Sequence, residues 1–146
     1  MRTKQPSRPQ KRRYYTLEEA NATLPLLRVI LRDIPALAVD LRGQYERLVR
    51  MQEAEGLDQD HKDEVYQLVE EFERGQEKMR EYEQELERLD VELKDYNTGL
   101  VDFWALRDGR EVYLCWRLDE PEITHWHEIN AGFQGRRKLE TNVING

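Results

Sequence analysis

The chain has 146 residues, 38% hydrophobic and 36% charged, with a net charge of −7. One domain is the natural expectation at that length, with a core thin relative to its surface. A single cysteine, Cys115, excludes an intrachain disulfide, and no run reaches the roughly 18 apolar residues that a membrane span needs.

The opening residues lack the apolar segment of a secretory signal, so a reducing cytoplasm is the expected compartment. Residues 1–13 hold Arg2, Lys4, Arg8, Lys11, Arg12 and Arg13, two prolines and no acid. They read as a disordered basic arm. Subtracting its +6 from −7 leaves −13 for residues 14–146, which we read as one domain. Such a body repels nucleic acid, so only the arm could attract it.

"TLEEAN" opens the first element, with Thr16 and Glu19 spaced as a capping box. From Leu17 through Leu24, Leu31, Ala38 and Tyr45 to Leu48, apolar residues recur every three or four positions, a heptad-like seam over residues 15–54. Pro25 and Pro35 interrupt it. We expect residues 17–22 to form a short separate turn, Pro25 to sit in the first turn of the long helix, and Pro35 to kink that helix. "EAEGLDQD" is the break, with Gly56 as stop and Asp58 or Asp60 as the next cap. A second seam, from Val65 through Phe72, Gly75, Met79 and Leu86 to Leu93, predicts helix over residues 58–95. The two should form a long antiparallel, coiled-coil-like helical hairpin.

After Asn97-Thr98-Gly99 the period changes to two. "LVDFWAL", "EVYLCWRL" and "EITHWHEI" predict a small three-stranded antiparallel sheet over residues 99–130, packed on the hairpin, with residues 131–146 as a closing loop and tail. The fold class is therefore α+β. Asp108-Gly109 is a two-residue hairpin signal that sets Val101 opposite Trp116, Phe103 opposite Leu114 and Ala105 opposite Val112, an apolar face. The third strand has two registers open. An even connection pairs Arg117 with Glu122 and Tyr113 with Trp126, and turns His125 and His127 to the core. An odd one reverses every side chain and sets both histidines beside Cys115 and Asp102, ligand types for zinc or another transition metal. The even register is preferred, because it pairs Arg117 with Glu122 and stacks Trp104, Tyr113 and Trp126, although it also opposes Glu111 to Glu128.

Any site should lie on this sheet and loop 132–136. His127, Asp102 and Glu122 are the catalytic candidates, with His127 as general base or metal ligand. Arg117, Trp126 and Arg136 are the ligand-binding candidates, Arg136 holding an anion and Trp126 serving as a stacking wall. For each histidine the competing reading is a hydrogen-bonded structural residue, and for Cys115 a small packed group. No cofactor is indicated beyond a metal at His127. The sequence contains no Gly-x-Ser-x-Gly, Walker or Cys-x-x-Cys motif.

"YTLEEANATLPLLR" and the run from "VELKDYNTGLVDFWALRDGREVYLCW" to "WHEINAGFQGRRKL" resemble a bacterial family known as domain of unknown function 2203. The family usually has proline at Trp104, glycine at Asp119 and a different aromatic at His125, so only His127 matches its pattern. Some members carry a cell-division initiation label, and the family brings no activity, cofactor or catalytic residue. The leading functional reading is thus a non-enzymatic interaction or assembly module: a helical hairpin that forms a homodimer or binds a protein partner, with no membrane role. A small-molecule or metal-binding enzyme built on the sheet is the alternative, and nucleic-acid binding through the arm the third.

Overall fold

The fold, given by a computed structural model that describes residues 12–53 and 59–140, begins its first helix at Thr16. The Thr16 hydroxyl accepts from Glu19 N–H and the Glu19 carboxylate accepts from Thr16 N–H, each at 3.0 Å. This is the expected capping box, and it starts α1 (Leu17–Leu31). Residues 17–22 are not a separate turn, and Pro25 lies inside the helix. Ala20, Leu24 and Leu27 on either side of it are buried, so packing outweighs the lost helical hydrogen bond.

The break falls at Arg32-Asp33, just before Pro35, as that proline requires. Helical bonds persist on both sides, Arg32 N–H to Arg28 O at 3.1 Å and Leu37 N–H to Asp33 O at 3.0 Å. α2 (Ile34–Glu53) therefore continues α1 beyond a kink. The expected turn at Gly56 and Asp58 lies outside the described residues.

α3 (Gln59–Arg88) returns antiparallel to this kinked helix. Arg47 meets Glu64 at 2.7 Å, the Tyr45 and Phe72 rings lie 6.2 Å apart, and Tyr82 OH reaches Asp33 Oδ2 at 3.3 Å. Gly75 lies where the helices approach: a Cβ there would stand 2.7 Å from Leu41 Cδ2, so that leucine would have to turn aside.

The second helix ends earlier than its seam suggests. Asp90 adopts φ 59°, while Leu89 N–H and Asp90 N–H close onto Leu86 O and Glu87 O at 3.0 Å each. Val91–Asp95 then forms a strand, β1. Leu93 satisfies both the helical spacing and strand alternation, which is why the seam overshoots.

The sheet has five strands, not three: a meander of β1, β2 (Leu100–Arg107), β3 (Arg110–Arg117), β4 (His125–Glu128) and β5 (Arg137–Lys138), all antiparallel. The closing segment supplies β5 and a 3₁₀ turn, Phe133–Gly135. The β2–β3 hairpin has the expected register, with Asp108 at φ 54° and Gly109 at φ 78°.

β4 takes the odd register. Tyr113 faces His127, Leu114 faces Trp126 and Cys115 faces His125. The preferred even register fails because residues 118–124 do not make a tight turn. Glu120 N–H returns to Arg117 O at 2.8 Å, Ile123 N–H reaches Asn21 Oδ1 on α1 at 2.9 Å, and Arg28 donates to Pro121 O at 2.7 Å. Ile123 and Trp126 thereby enter the core, at 3% and 4% exposure. Burying an indole in place of two imidazoles favours this face. Glu128 no longer opposes Glu111 but pairs with Arg110. The core lies between this inner face and α1 with the C-terminal half of α3, joining Leu24, Leu27, Ile34 and Leu86 to Phe103 and Trp116. Among the described residues, no helix is long and apolar enough to cross a membrane.

Candidate metal centre on the outer sheet face

Strand alternation sends Glu92, Asp102, Cys115 and His125 outward in one cross-strand row, and Trp104, Tyr113 and His127 in the next. Three of these polar side chains are nevertheless buried: Asp102 and His127 at 2% exposure, Cys115 at 0%. The carboxylate oxygen, thiol sulfur and imidazole nitrogen they offer lie within 4.8 Å of one another.

The bonding of His127 is specific. Nδ1–H donates to Glu128 O at 2.7 Å, and Nε2 faces Asp102 Oδ2 at 3.1 Å. A carbonyl only accepts, so Nδ1 carries a proton and Nε2 is the nitrogen turned into the cluster. Burial alone pulls the imidazole down. The hydrogen bonds to Asp102 and Glu128 and the Asp102 charge outweigh it, leaving His127 above its ordinary value. The second carboxylate oxygen, Asp102 Oδ1, is buried and has no hydrogen-bond partner among the described residues. Burial first, then the Asp102 charge, pushes the Cys115 thiol up to about 12. A thiol so held is no nucleophile by itself, and both ring nitrogens of His127 are already engaged, by Glu128 O and Asp102 Oδ2.

Beside the cluster, Glu92 collects Trp104 Nε1–H at 2.7 Å, Tyr113 O–H at 3.1 Å and the Lys94 ammonium at 2.8 Å. Desolvation raises its carboxyl, but these donors together hold it below the usual range. Arg12 stacks on Trp104, 3.7 Å from the ring centre, and bonds Glu111 at 3.0 Å. Two of the arm's cations, Arg12 and Arg13, thus lie on aromatic rings of the body.

The other sequence candidates are dispersed. Glu122 is exposed in the β3–β4 connection. Arg117 pairs with Asp119 at 2.7 Å. Trp126 is a core residue on the inner face. Arg136 makes a two-pronged ion pair with Glu120, at 2.8 and 2.9 Å, and also donates to Cys115 O at 3.3 Å. Its guanidinium is already matched by a carboxylate, as in a structural latch. His125 stays at the margin, bonded to Thr124 Oγ1 at 2.9 Å, its imidazole pushed down by burial and then by Arg136.

The structure brings together Asp102, Cys115 and His127, which the odd register sets side by side as ligand types, and leaves His125 outside the cluster. Glu92 has no signal in the sequence, because its strand, β1, continues the helical spacing of α3. A cleft of about 410 Å³ between the end of α3 and β1, lined by Glu83, Glu87 and Glu92, was invisible for the same reason.

Comparison with curated proteins finds no match, and comparison with solved structures finds none either. A family model does match, over residues 13–139, which include both helical arms, all five strands and the Asp102–Cys115–His127 cluster. The chain therefore belongs to the family described as "Uncharacterized conserved protein (DUF2203)".

Proposed function

We propose that the sheet is a metal-binding head, holding one divalent transition-metal ion of the zinc class between Asp102, Cys115 Sγ and His127 Nε2. The observation that carries this is the buried convergence of three ligand types, one oxygen, one sulfur and one nitrogen. Two ligands about 2.0–2.1 Å from a tetrahedral ion stand roughly 3.3 Å apart. The Nε2–Oδ2 separation of 3.1 Å is close to that edge. His127 is oriented by its bond to the Glu128 carbonyl, the outer-shell arrangement that metal-ligating histidines use. Asp102 Oδ1 is an acceptor that otherwise goes unused. A bound cation would convert the thiol to thiolate and replace the proton on Nε2. Three protein ligands leave a fourth position for water or a further ligand, the pattern of ions that polarise a bound molecule.

Metal analysis of the full-length protein purified without chelator should find about one ion per chain. Cobalt(II) loading should give a thiolate-to-metal charge-transfer band that Cys115→Ser removes and His127→Gln weakens. Protein free of metal, with no cobalt band and no rise in Tm on adding zinc, would sink the proposal.

A second reading concerns the helices. The kinked helix shows solvent a row of apolar side chains on the side away from α3, including Leu26, Val29 and Val39, at 50%, 57% and 59% exposure. That row supports assembly through the helical arm, with catalysis no part of the arm's role.

A further inference from the structure

The exposed side of the kinked helix carries Ala22, Leu26, Val29, Ala36, Val39 and Gly43, with Pro25 and Asp40 exposed beside them. The spacings of the first six, 4, 3, 7, 3 and 4 residues, read the same from either end, and Pro25 and Asp40 stand equally far from the middle. The centre of that palindrome is the kink, Arg32-Asp33. Helical phase is carried through the kink by the bonds to Arg28 O and Asp33 O, so the six residues share one side of the rod. The rod from Ala22 to Gly43 is about 32 Å long at 1.5 Å per residue.

We infer that this surface docks a second copy of the chain, antiparallel, with a two-fold axis passing beside the Arg32-Asp33 kink. The inference rests on the assembly reading above and specifies its partner and register. A two-fold there sets each residue opposite the one equally far beyond the kink. Leu26 meets the partner's Val39, Val29 the partner's Ala36, and Ala22 the partner's Gly43. Every pair sets a larger side chain against a smaller one, as interdigitating helices require. Gly43 has open space where a Cβ would be.

Charge agrees with the same register. Arg32 meets the partner's Asp33, and Asp33 the partner's Arg32. Within one chain these two touch only at 3.6 Å, with side chains 70% and 56% exposed, an arrangement that contributes little. Asp33 also accepts from Tyr82 O–H at 3.3 Å, which holds the carboxylate at the kink. An interface that is its own complement, in size and in sign, is what a closed two-fold dimer needs.

The test uses the full chain. Sedimentation of the wild type should give twice the chain mass, and Val29→Glu should return it to the single mass with an unchanged circular dichroism spectrum. In the Leu26→Cys/Val39→Cys double variant, oxidation should link two chains through residues 26 and 39 on a non-reducing gel. Neither single variant should link, because residue 26 then lies far from its own symmetry copy, and native Cys115 is buried. A wild type that sediments as a single chain overturns the assembly reading itself. A dimer that survives Val29→Glu and fails to cross-link overturns this surface alone and leaves assembly standing.

Discussion

The two faces of the sheet bury side chains of opposite character. The inner face packs Val101, Phe103, Val112, Leu114 and Trp116 against the helices, each at 0% exposure. The outer face buries Asp102, Cys115 and His127 almost as deeply. Apolar burial stabilises in proportion to area and tolerates any well-shaped neighbour. A buried carboxylate or imidazole stabilises nothing unless its partner is present. The inner face is thus held by area, while the outer face is held only as long as each buried polar group keeps its partner.

Breaking the inner face should cost most. Phe103 meets Tyr15 edge-on, with ring centres 5.1 Å apart, so Phe103→Ala loses a ring and leaves a void. We expect about 4 kcal/mol, read as a lower urea midpoint with an unchanged slope. On the outer face, Asp102→Ala should cost about 3 kcal/mol, because His127 is left buried with an unmatched donor. The contrast sharpens in the double variant Asp102→Leu/His127→Leu, which should regain most of that loss in the same measurement. Additive losses in the double variant would mean that the pair contributes like ordinary core.

The third effect is that of pH. His127 sits above its ordinary value in the folded protein, so its imidazolium stabilises the fold. That contribution is complete below about pH 6.5, the ordinary unfolded value, and disappears as pH rises through the folded one. Metal-free wild type should therefore lose stability on the alkaline side of that point, and His127→Gln should lack this loss in urea titrations at a series of pH values. The smallest effect is expected for Tyr113→Phe. It removes one donor from Glu92 and should cost about 1 kcal/mol.

Local signals carried the helical part and the central hairpin. Thr16 with Glu19 starts α1, Pro35 places the kink, and Asp108-Gly109 sets the register of eight residue pairs between β2 and β3. These depend on neighbours in the chain. Two features do not. The end of α3 is set by Asp90 in the left-handed region, a position more often given to glycine, so the heptad count ran past it into β1. The register of β4 depends on Asn21 and Arg28, about a hundred positions away in sequence and on another element. That register decides the site. It takes Trp126 away as a ligand wall and sets His127 beside Asp102 and Cys115.

The connection between β3 and β4 also separates loop length from strand register. Residues 118–124 are tied at one end to α1 and at the other to the Arg136–Glu120 latch. β4 keeps its faces because Ile123 and Trp126 enter the core, so a residue added between these ties would be taken up in the shape of the loop. A slip of β4 itself by one residue would send His127 into the core and Trp126 to solvent. The core thus holds the buried cluster in place from the opposite face: where Trp126 seats decides where His127 stands.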